Sequence, residues 1–361
     1  MSLDRQIETI GASAAEPRLD TRDKTVLATL FASQAFWVTV ALVVISGVMS
    51  IQEPVFASED NFFNITRNFA FIGIMALGMT PVIITGGIDL SVGSVMGAVA
   101  IVCGLVLLKQ PIPWMPDWWN EAAWTHSWWM AVSTGLLAGA IIGGVNGALI
   151  AYVGLPPFVV TLGMLSVARA CAVLLSGNRM LYDFGPGAAT FKSIGSGASF
   201  GLALPFRLSN PFLVLIILTV VLAIVLKNAA WGRHIFAIGG NEQAANLAGV
   251  PVKRMKVQAY VLCSMSAAVA AILSVGWSGS ANNSLGQSYE LLAIASAVIG
   301  GANLMGGEGG AYGAFVGSAL IFVIRNSLLM AGVDSNWQGI FVGSFIVLAV
   351  VLERIRGKRR E

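Results

Sequence analysis

Long apolar stretches, separated by short polar or glycine-rich segments, run along most of the chain. A helix needs about 20 apolar residues to cross the hydrocarbon layer of a bilayer. On that measure the pattern predicts ten spanning helices, at residues 34–51, 68–86, 91–108, 128–153, 158–176, 210–226, 257–277, 291–303, 312–330 and 337–352. The eighth is short and ends in glycines, so we expect it either to be broken or to have different boundaries.

The composition supports this interpretation. Hydrophobic residues make up 56% of the 361 residues and charged residues 11%, whereas about a quarter of the residues of an ordinary soluble protein are charged. An aqueous fold cannot hide so much apolar surface. The sequence therefore predicts an all-α polytopic membrane protein surrounded by membrane lipid, and we expect no nucleic acid partner.

The distribution of basic residues predicts the orientation, because Lys and Arg concentrate on the cytoplasmic side. With the N-terminus inside, cytoplasmic segments carry fourteen of the 21 Lys and Arg residues and the outer loops carry five. The first 24 residues are polar and do not resemble a signal peptide. We predict cytoplasmic tails at residues 1–25 and 354–361, with a transmembrane domain at residues 26–353 between them.

A carboxylate in a glycine-rich break between two predicted spans is the first candidate site. Asp89 lies there with Ser91 two residues later, and residues 297–304 echo the pattern with Asn303, followed by Glu308. Irregular backbone at membrane depth must be buried in protein or line a wet cavity, and an ionisable group there indicates a functional site. A pathway or gate role and a helix-capping role for Asp89 both fit the pattern.

Two arginines, Arg169 and Arg325, fall within predicted spans. A charge at membrane depth is costly and must pair or reach water. Each arginine therefore either pairs with a carboxylate or with carbonyl groups between helices, or lines a wet cavity. Asp89 and Glu308 are possible partners.

The cytoplasmic loop at residues 228–256 contains a short predicted helix. Asn241 is a good N-cap, and the residues through Ala248 make about two helical turns before Gly249 and Pro251 end the helix. Such a helix is either an ordinary connector at the membrane face or a segment that lies in a groove of a cytoplasmic partner.

The outer loop before the fourth span is rich in tryptophan. Trp favours the headgroup level of the membrane, so the segment anchors the chain at the interface or meets a partner outside. The residues concerned are Trp114, Trp118, Trp119, Trp124, Trp128 and Trp129.

Cysteine and histidine give no sign of a metal site. Cys103, Cys171 and Cys263 lie in apolar runs without a paired spacing, which is typical of free thiols packed between helices. His126 and His234 lie far apart in the sequence, so we expect no metal centre.

Four motifs together resemble a known family. They are residues 79–94, which read Met-Thr-Pro-Val-Ile-Ile-Thr-Gly-Gly-Ile-Asp-Leu-Ser-Val-Gly-Ser; residues 157–163; residues 232–233 with 237–241 through 249–250; and residues 300–301 with 306–309. On these motifs the chain resembles the inner-membrane permease subunit of bacterial sugar ABC importers, the ribose/xylose/arabinose family. Ala302 and Asn303 stand where that family often has small hydroxyl residues, so polar contacts near this turn are expected to differ.

The resemblance implies a multi-pass protein of the bacterial inner membrane that forms a translocation pore as a dimer, with a second permease copy. It also implies a cytoplasmic ATP-binding subunit and a periplasmic sugar-binding protein as partners. The short helix of the cytoplasmic loop would then couple to the ATPase. The coupling residues implied are Arg233, Asn241, Glu242, Ala244, Ala245 and Gly249, and those of the pathway or gate are Asp89, Ser91, Asn303 and Glu308.

The chain has no Gly-x4-Gly-Lys-[Ser/Thr] phosphate loop, so we expect ATP and Mg on the partner, no cofactor on this chain, and no enzymatic activity of its own. The solute is expected to be a monosaccharide. The same importer class for a nucleoside, a polyol such as inositol, or a branched-chain amino acid is the nearest alternative. An ion-coupled secondary transporter and a membrane-embedded enzyme belong to other classes.

Overall fold

The fold is described by a computed structural model, which covers residues 33–109, 116–121, 127–201, 207–334, 337, 339–340 and 343–344. Its principal helices are α1 (Gln34–Gln52), α2 (Glu59–Ile84), α3 (Val92–Leu107), α4 (Trp128–Ala148), α5 (Pro157–Ser176), α6 (Ala188–Ser196), α7 (Asn210–Asn228), α8 (Ala230–Gly240), α9 (Glu242–Leu247), α10 (Val252–Ser278), α11 (Tyr289–Ile299) and α12 (Ala311–Met330). Shorter helical turns are Pro54–Ala57, Asp117–Asn120, Leu149–Val153 and Ser199–Gly201.

Three helices form the centre of the bundle. Almost every residue of α3 is buried, and so is most of α2 and α10. These three pack on one another directly or through α11, while α1, α4, α5, α7 and α12 surround them. The outer helices expose large aliphatic side chains, whereas the three central helices are almost wholly covered by the rest of the chain.

A row of glycines joins α4 to α10. A side chain at Gly139 would collide with the Ser264 carbonyl and the Ala268 side chain, and one at Gly143 would collide with the backbone of α10 at Tyr260. Small residues let two membrane helices approach closely. This contact holds the end of α4 against the part of α10 that lies beside the candidate site.

The structure confirms an all-α polytopic membrane protein. Seven helices of the described residues are long and apolar enough to cross a membrane, namely α1, α2, α4 with its following turn, α5, α7, α10 and α12. The shorter apolar helices α3 and α11 complete the match to the first nine predicted spans. Most of the tenth predicted span, at residues 337–352, and both predicted tails lie outside the described residues.

The eighth predicted span is a short helix preceded by irregular chain. The helix α11 spans only Tyr289–Ile299, and residues 279–288, which the pattern placed in an outer loop, run alongside α3. Ala281 packs against Gly104, and Gly286 packs against Gly93, eleven residues earlier in α3. Eleven helical residues rise about 16 Å, roughly half the thickness of the hydrocarbon layer. The chain therefore enters the bundle before α11 begins.

Candidate functional site

The turn between α2 and α3 is organised by Asp89. Its Oδ1 accepts hydrogen bonds from the backbone N–H of Ser91 at 2.9 Å and from the Ser91 hydroxyl at 2.6 Å. A short polar side chain that bonds the backbone two residues on stabilises a turn at the start of a helix. Both side chains are fully buried in the chain, so this geometry favours the capping role over direct contact with a solute.

Residues from two distant helices surround the same carboxylate. The Asn146 amide of α4 donates to the Ser91 hydroxyl at 3.0 Å. The Cys263 thiol and the Tyr260 phenol of α10 lie beside Asp89. Tyr260 and Cys263 are eight and eleven residues beyond the start of α10, which corresponds to about 12–17 Å along that helix. Asp89 therefore lies well inside the bundle and not at the surface where α10 begins.

The turn between α11 and α12 is the counterpart that the sequence echo predicted. The backbone N–H of Asn303 donates to the Glu308 carbonyl at 3.1 Å, and Asn303 Oδ1 accepts from the N–H of Met305 at 2.8 Å. Glu308 and Met305 are exposed. The N–H of Gly307 donates to the Ile84 carbonyl at 2.9 Å, which joins this turn to the end of α2.

The end of α8 contacts both turns at once. A side chain at Gly239 would collide with the Ile84 carbonyl oxygen and with the backbone of Gly307. Only a residue without a side chain lets α8 lie so close to two stretches of backbone. The end of α8 therefore contacts the end of α2 and the turn before α12 through one glycine.

The short helix α9 forms as the sequence predicted. Asn241 caps it by accepting the N–H of Ala244 at 2.9 Å, and Gly249 follows it with φ +83°. Glu242 forms an ion pair of 2.7 Å with Lys256 of α10, which ties the helix to the bundle. Ala244 is exposed, whereas its neighbour Ala245 is buried against this chain.

Ala245 therefore packs inside the chain, whereas Ala244 lies on its surface. Leu247, at the end of α9, is 90% exposed and enlarges the apolar surface that the helix offers. Arg233 in α8 is exposed and donates to the Asn228 carbonyl at 3.1 Å, which closes the end of α7.

The irregular segment at residues 279–288 exposes a row of polar side chains alongside α3. These side chains carry uncharged amide or hydroxyl groups that can donate and accept hydrogen bonds, and they are exposed. They belong to Asn282, Ser284, Gln287 and Ser288. Non-helical backbone at membrane depth persists only where protein buries it or water reaches it. The exposed polar side chains of this segment therefore lie alongside the buried helix α3.

Arg169 of α5 holds that segment in place. Its Nη1 donates to the Asn283 carbonyl at 2.5 Å and to the Leu285 carbonyl at 3.2 Å. Glu290 lies close enough to interact with it electrostatically. The expected pairing with carbonyls between helices is therefore present, but Asp89 and Glu308 are wrong as its partners. Asp89 and Glu308 lie in the α2–α3 turn and the α11–α12 turn, whereas Arg169 contacts residues 279–288.

Arg325 of α12 stacks on a neighbouring ring in place of a carboxylate. Its guanidinium lies 5.5 Å from the centre of the Phe322 ring, a distance at which a cation is attracted to an aromatic face. Tyr289 at the start of α11 is close enough to interact with it electrostatically. Neither Asp89 nor Glu308 pairs with it among the described residues.

Some residues of these surfaces have no signal in the sequence pattern. Asn146 is a single polar residue within an apolar span. Tyr260 and Cys263 look like ordinary buried residues of a spanning helix. Asn282 and Ser284 belong to a polar run that the pattern assigned to an outer loop. Among the described residues no group of three or more His, Cys, Asp or Glu side chains is arranged to hold a metal ion.

Comparisons with known proteins agree on one class. The profile of the family described as "Branched-chain amino acid transport system / permease component" matches residues 61–350. A probable ABC transporter permease protein of Sinorhizobium fredii is 37% identical over 320 residues, covering 89% of each chain. The ribose import permease protein of Haemophilus influenzae is 32% identical over 326 residues, covering 89% of this chain and 93% of the relative.

The fructose import permease protein of Rhizobium meliloti is similar over a shorter range, with 33% identity over 292 residues that cover 80% of this chain and 76% of the relative. No solved structure matches the chain.

Proposed function

The chain belongs to the ABC importer permease family described as the branched-chain amino acid transport system permease component, and from this premise we propose that it forms the pore of an ATP-driven monosaccharide importer. It is a transport subunit and a multi-pass protein of the bacterial inner membrane. Its curated relatives include ribose and fructose import permeases, so the chain is a permease of the sugar importer class.

The observation that carries the proposal is the polar segment at residues 279–288. A neutral sugar offers hydroxyl groups, and the amide and hydroxyl side chains of this segment match them without introducing a strong charge. Arg169 is occupied by the carbonyls behind the segment. The polar segment would therefore bind a sugar weakly. Weak binding suits a transport pathway, because the substrate must leave it again.

One chain provides one side of such a pathway. The polar segment lies open on the surface of the described residues and is flanked by the exposed face of α5, where Ser166 and Ala170 are four residues apart. Small residues at that spacing favour close approach of a second membrane helix. We infer that a second copy of the permease faces this polar segment and closes the pore.

Coupling to ATP would run through α8 and α9. A partner ATPase that contacts Ala244 and Leu247 would move α9, and Glu242 with Lys256 would carry the movement to α10. Gly239 would pass it to both inner turns. ATP and Mg belong to that partner in this proposal, and a periplasmic sugar-binding protein delivers the solute to the outer end of the polar segment.

Cysteine labelling tests whether water reaches the polar segment. In a Cys171→Ser background, where the remaining Cys103 and Cys263 are buried, Ser284→Cys and Gln287→Cys are treated with a membrane-impermeant methanethiosulfonate. We expect both to react readily, because only a thiol that water reaches forms the reactive thiolate. Val44→Cys on the exposed apolar face of α1 is the control and is expected to stay unlabelled. If all three cysteines stayed unlabelled, water would not reach the polar segment, and its role as a pathway would be excluded.

Uptake tests the class of solute. Cells with and without the gene are compared for uptake of radiolabelled ribose, fructose and galactose, with inositol, a nucleoside and leucine as competitors. The family description includes branched-chain amino acids, which is why leucine is included. Loss of sugar uptake on ATP depletion but not on collapse of ion gradients supports the proposal. The opposite response would indicate an ion-coupled transporter.

A further inference from the structure

An apolar groove opens between α7 and α10, with α2 as its floor. Its volume is about 430 Å³. Nearly all of its walls are aliphatic or aromatic, and the lining residues on α7 are Leu218, Val221, Leu222 and Val225. The α10 wall begins at Gln258, and Leu77 and Gly78 of α2 form part of the floor.

The groove faces the hydrocarbon of the membrane. On α7 the side chains next to its mouth, Ile217, Val220 and Ile224, are more than half exposed and all aliphatic. A helix surface of this composition favours lipid over water. The polar segment at residues 279–288 follows α3, a different helix from either wall, so the groove is separate from the proposed pathway.

The cytoplasmic end of the groove is closed by a polar pair and followed by a cation. The Trp231 indole N–H of α8 donates to Gln258 Oε1 at 3.0 Å. Arg254 precedes Gln258 by four residues and therefore lies one turn below it on the same face of α10. Arg254 is exposed and forms no ion pair with a carboxylate of the described residues.

We propose that this groove is a binding site for one anionic phospholipid. An acyl chain fills the aliphatic groove, and the phosphate of its headgroup meets Arg254 at the cytoplasmic boundary. The charge is complementary, because basic residues just cytoplasmic of a spanning helix attract anionic headgroups. The lipid would then pack against Trp231 and stabilise the base of α8, which carries Gly239 near its other end.

Thermal stability of the purified full-length permease tests whether the preferred lipid occupies the groove. The protein is placed in mixed micelles with phosphatidylglycerol or with phosphatidylcholine of the same acyl chains. We expect phosphatidylglycerol to raise Tm by about 2–4 °C relative to phosphatidylcholine, as a site-bound ligand does. Val221→Trp fills the mouth of the groove and should remove this rise. Val220→Trp, one residue away on the exposed face and outside the lining, should keep it.

A second pair of variants measures the headgroup part. Arg254→Gln should abolish the preference for phosphatidylglycerol, whereas Lys253→Gln should retain it, because Lys253 is directed to the Tyr152 ring. Native mass spectrometry should show one retained lipid that Val221→Trp loses. Equal Tm in both lipids, or a preference that survives Val221→Trp, would overturn the proposal. A change in oligomeric state on Val221→Trp without lipid loss would assign the groove to a second copy instead.

Discussion

The backbone N–H of Gly307 donates a hydrogen bond of 2.9 Å to the carbonyl oxygen of Ile84. Ile84 is the last residue of α2, and Gly307 lies in the turn between α11 and α12. The bond joins the end of α2 to the chain just before α12, and Gly239 of α8 packs against both partners. In the proposed coupling, a movement of α8 would reach the end of α2 and the turn before α12 through this contact.

Gly239→Ala should uncouple transport from ATP hydrolysis. The added methyl group would displace α8 from Ile84 and Gly307, because it collides with backbone that has no alternative rotamer. Overpacking of this kind destabilises by about 1–3 kcal/mol. Sugar uptake by cells and ATPase stimulation by the loaded binding protein are the measurements.

The neighbouring glycine supplies the matched control for that variant. Gly240 is the last residue of α8, and a side chain there would meet nothing within 4 Å. Gly240→Ala should therefore transport as the unchanged protein does. Similar defects in the two variants would mean that the close approach of Gly239 has no part in coupling.

Asp89→Asn should fold and transport within about twofold of the unchanged protein, because the amide oxygen still accepts the two Ser91 bonds. Asp89→Leu removes the acceptor and should cost about 1–3 kcal/mol, since buried donors lose their partner. Thermal unfolding and uptake are compared for both. A well-folded Asp89→Asn complex that binds the ATPase yet does not transport would instead assign the carboxylate to the gate or pathway.

Arg169→Met should release the segment at residues 279–288 and lower stability by about 1–3 kcal/mol, because the Asn283 and Leu285 carbonyls lose their donor. Adding Glu290→Gln should restore part of the loss, since it removes a carboxylate left without its nearby cation. Thermal unfolding of the single and double variants tests this. The exposed Arg179→Met is the control and should change stability by no more than about 0.5 kcal/mol. Additive losses would exclude the link to Glu290.

Ala244→Arg should weaken association with the ATPase at least about tenfold, because an unmatched charge in an interface costs several kcal/mol. The permease itself should keep its Tm, since Ala244 is exposed. Co-purification of the ATPase measures the effect. Ala189→Arg, also exposed and in a helix (α6) of the predicted outer loop, is the matched control. Undiminished co-purification of Ala244→Arg would remove the coupling role from α9.

The local pattern was sufficient for the helices themselves. The first nine predicted spans overlap helices of the structure, because the length of an apolar run decides whether it crosses a bilayer. The cap at Asn241 and the stop at Gly249 were likewise predicted, since both act on neighbours within one turn. Membership of the importer family follows from motifs of the same local kind.

The tertiary structure alone decided where the polar groups meet. Asn146 and Tyr260 reach the Asp89 turn from positions 57 and 171 residues away, and no local rule selects them. The path of residues 279–288 likewise depends on the glycine surface of α3 and on Arg169. Hydrophobic length is a property of each segment, whereas burial of a carboxylate or an irregular segment requires partners supplied by other helices.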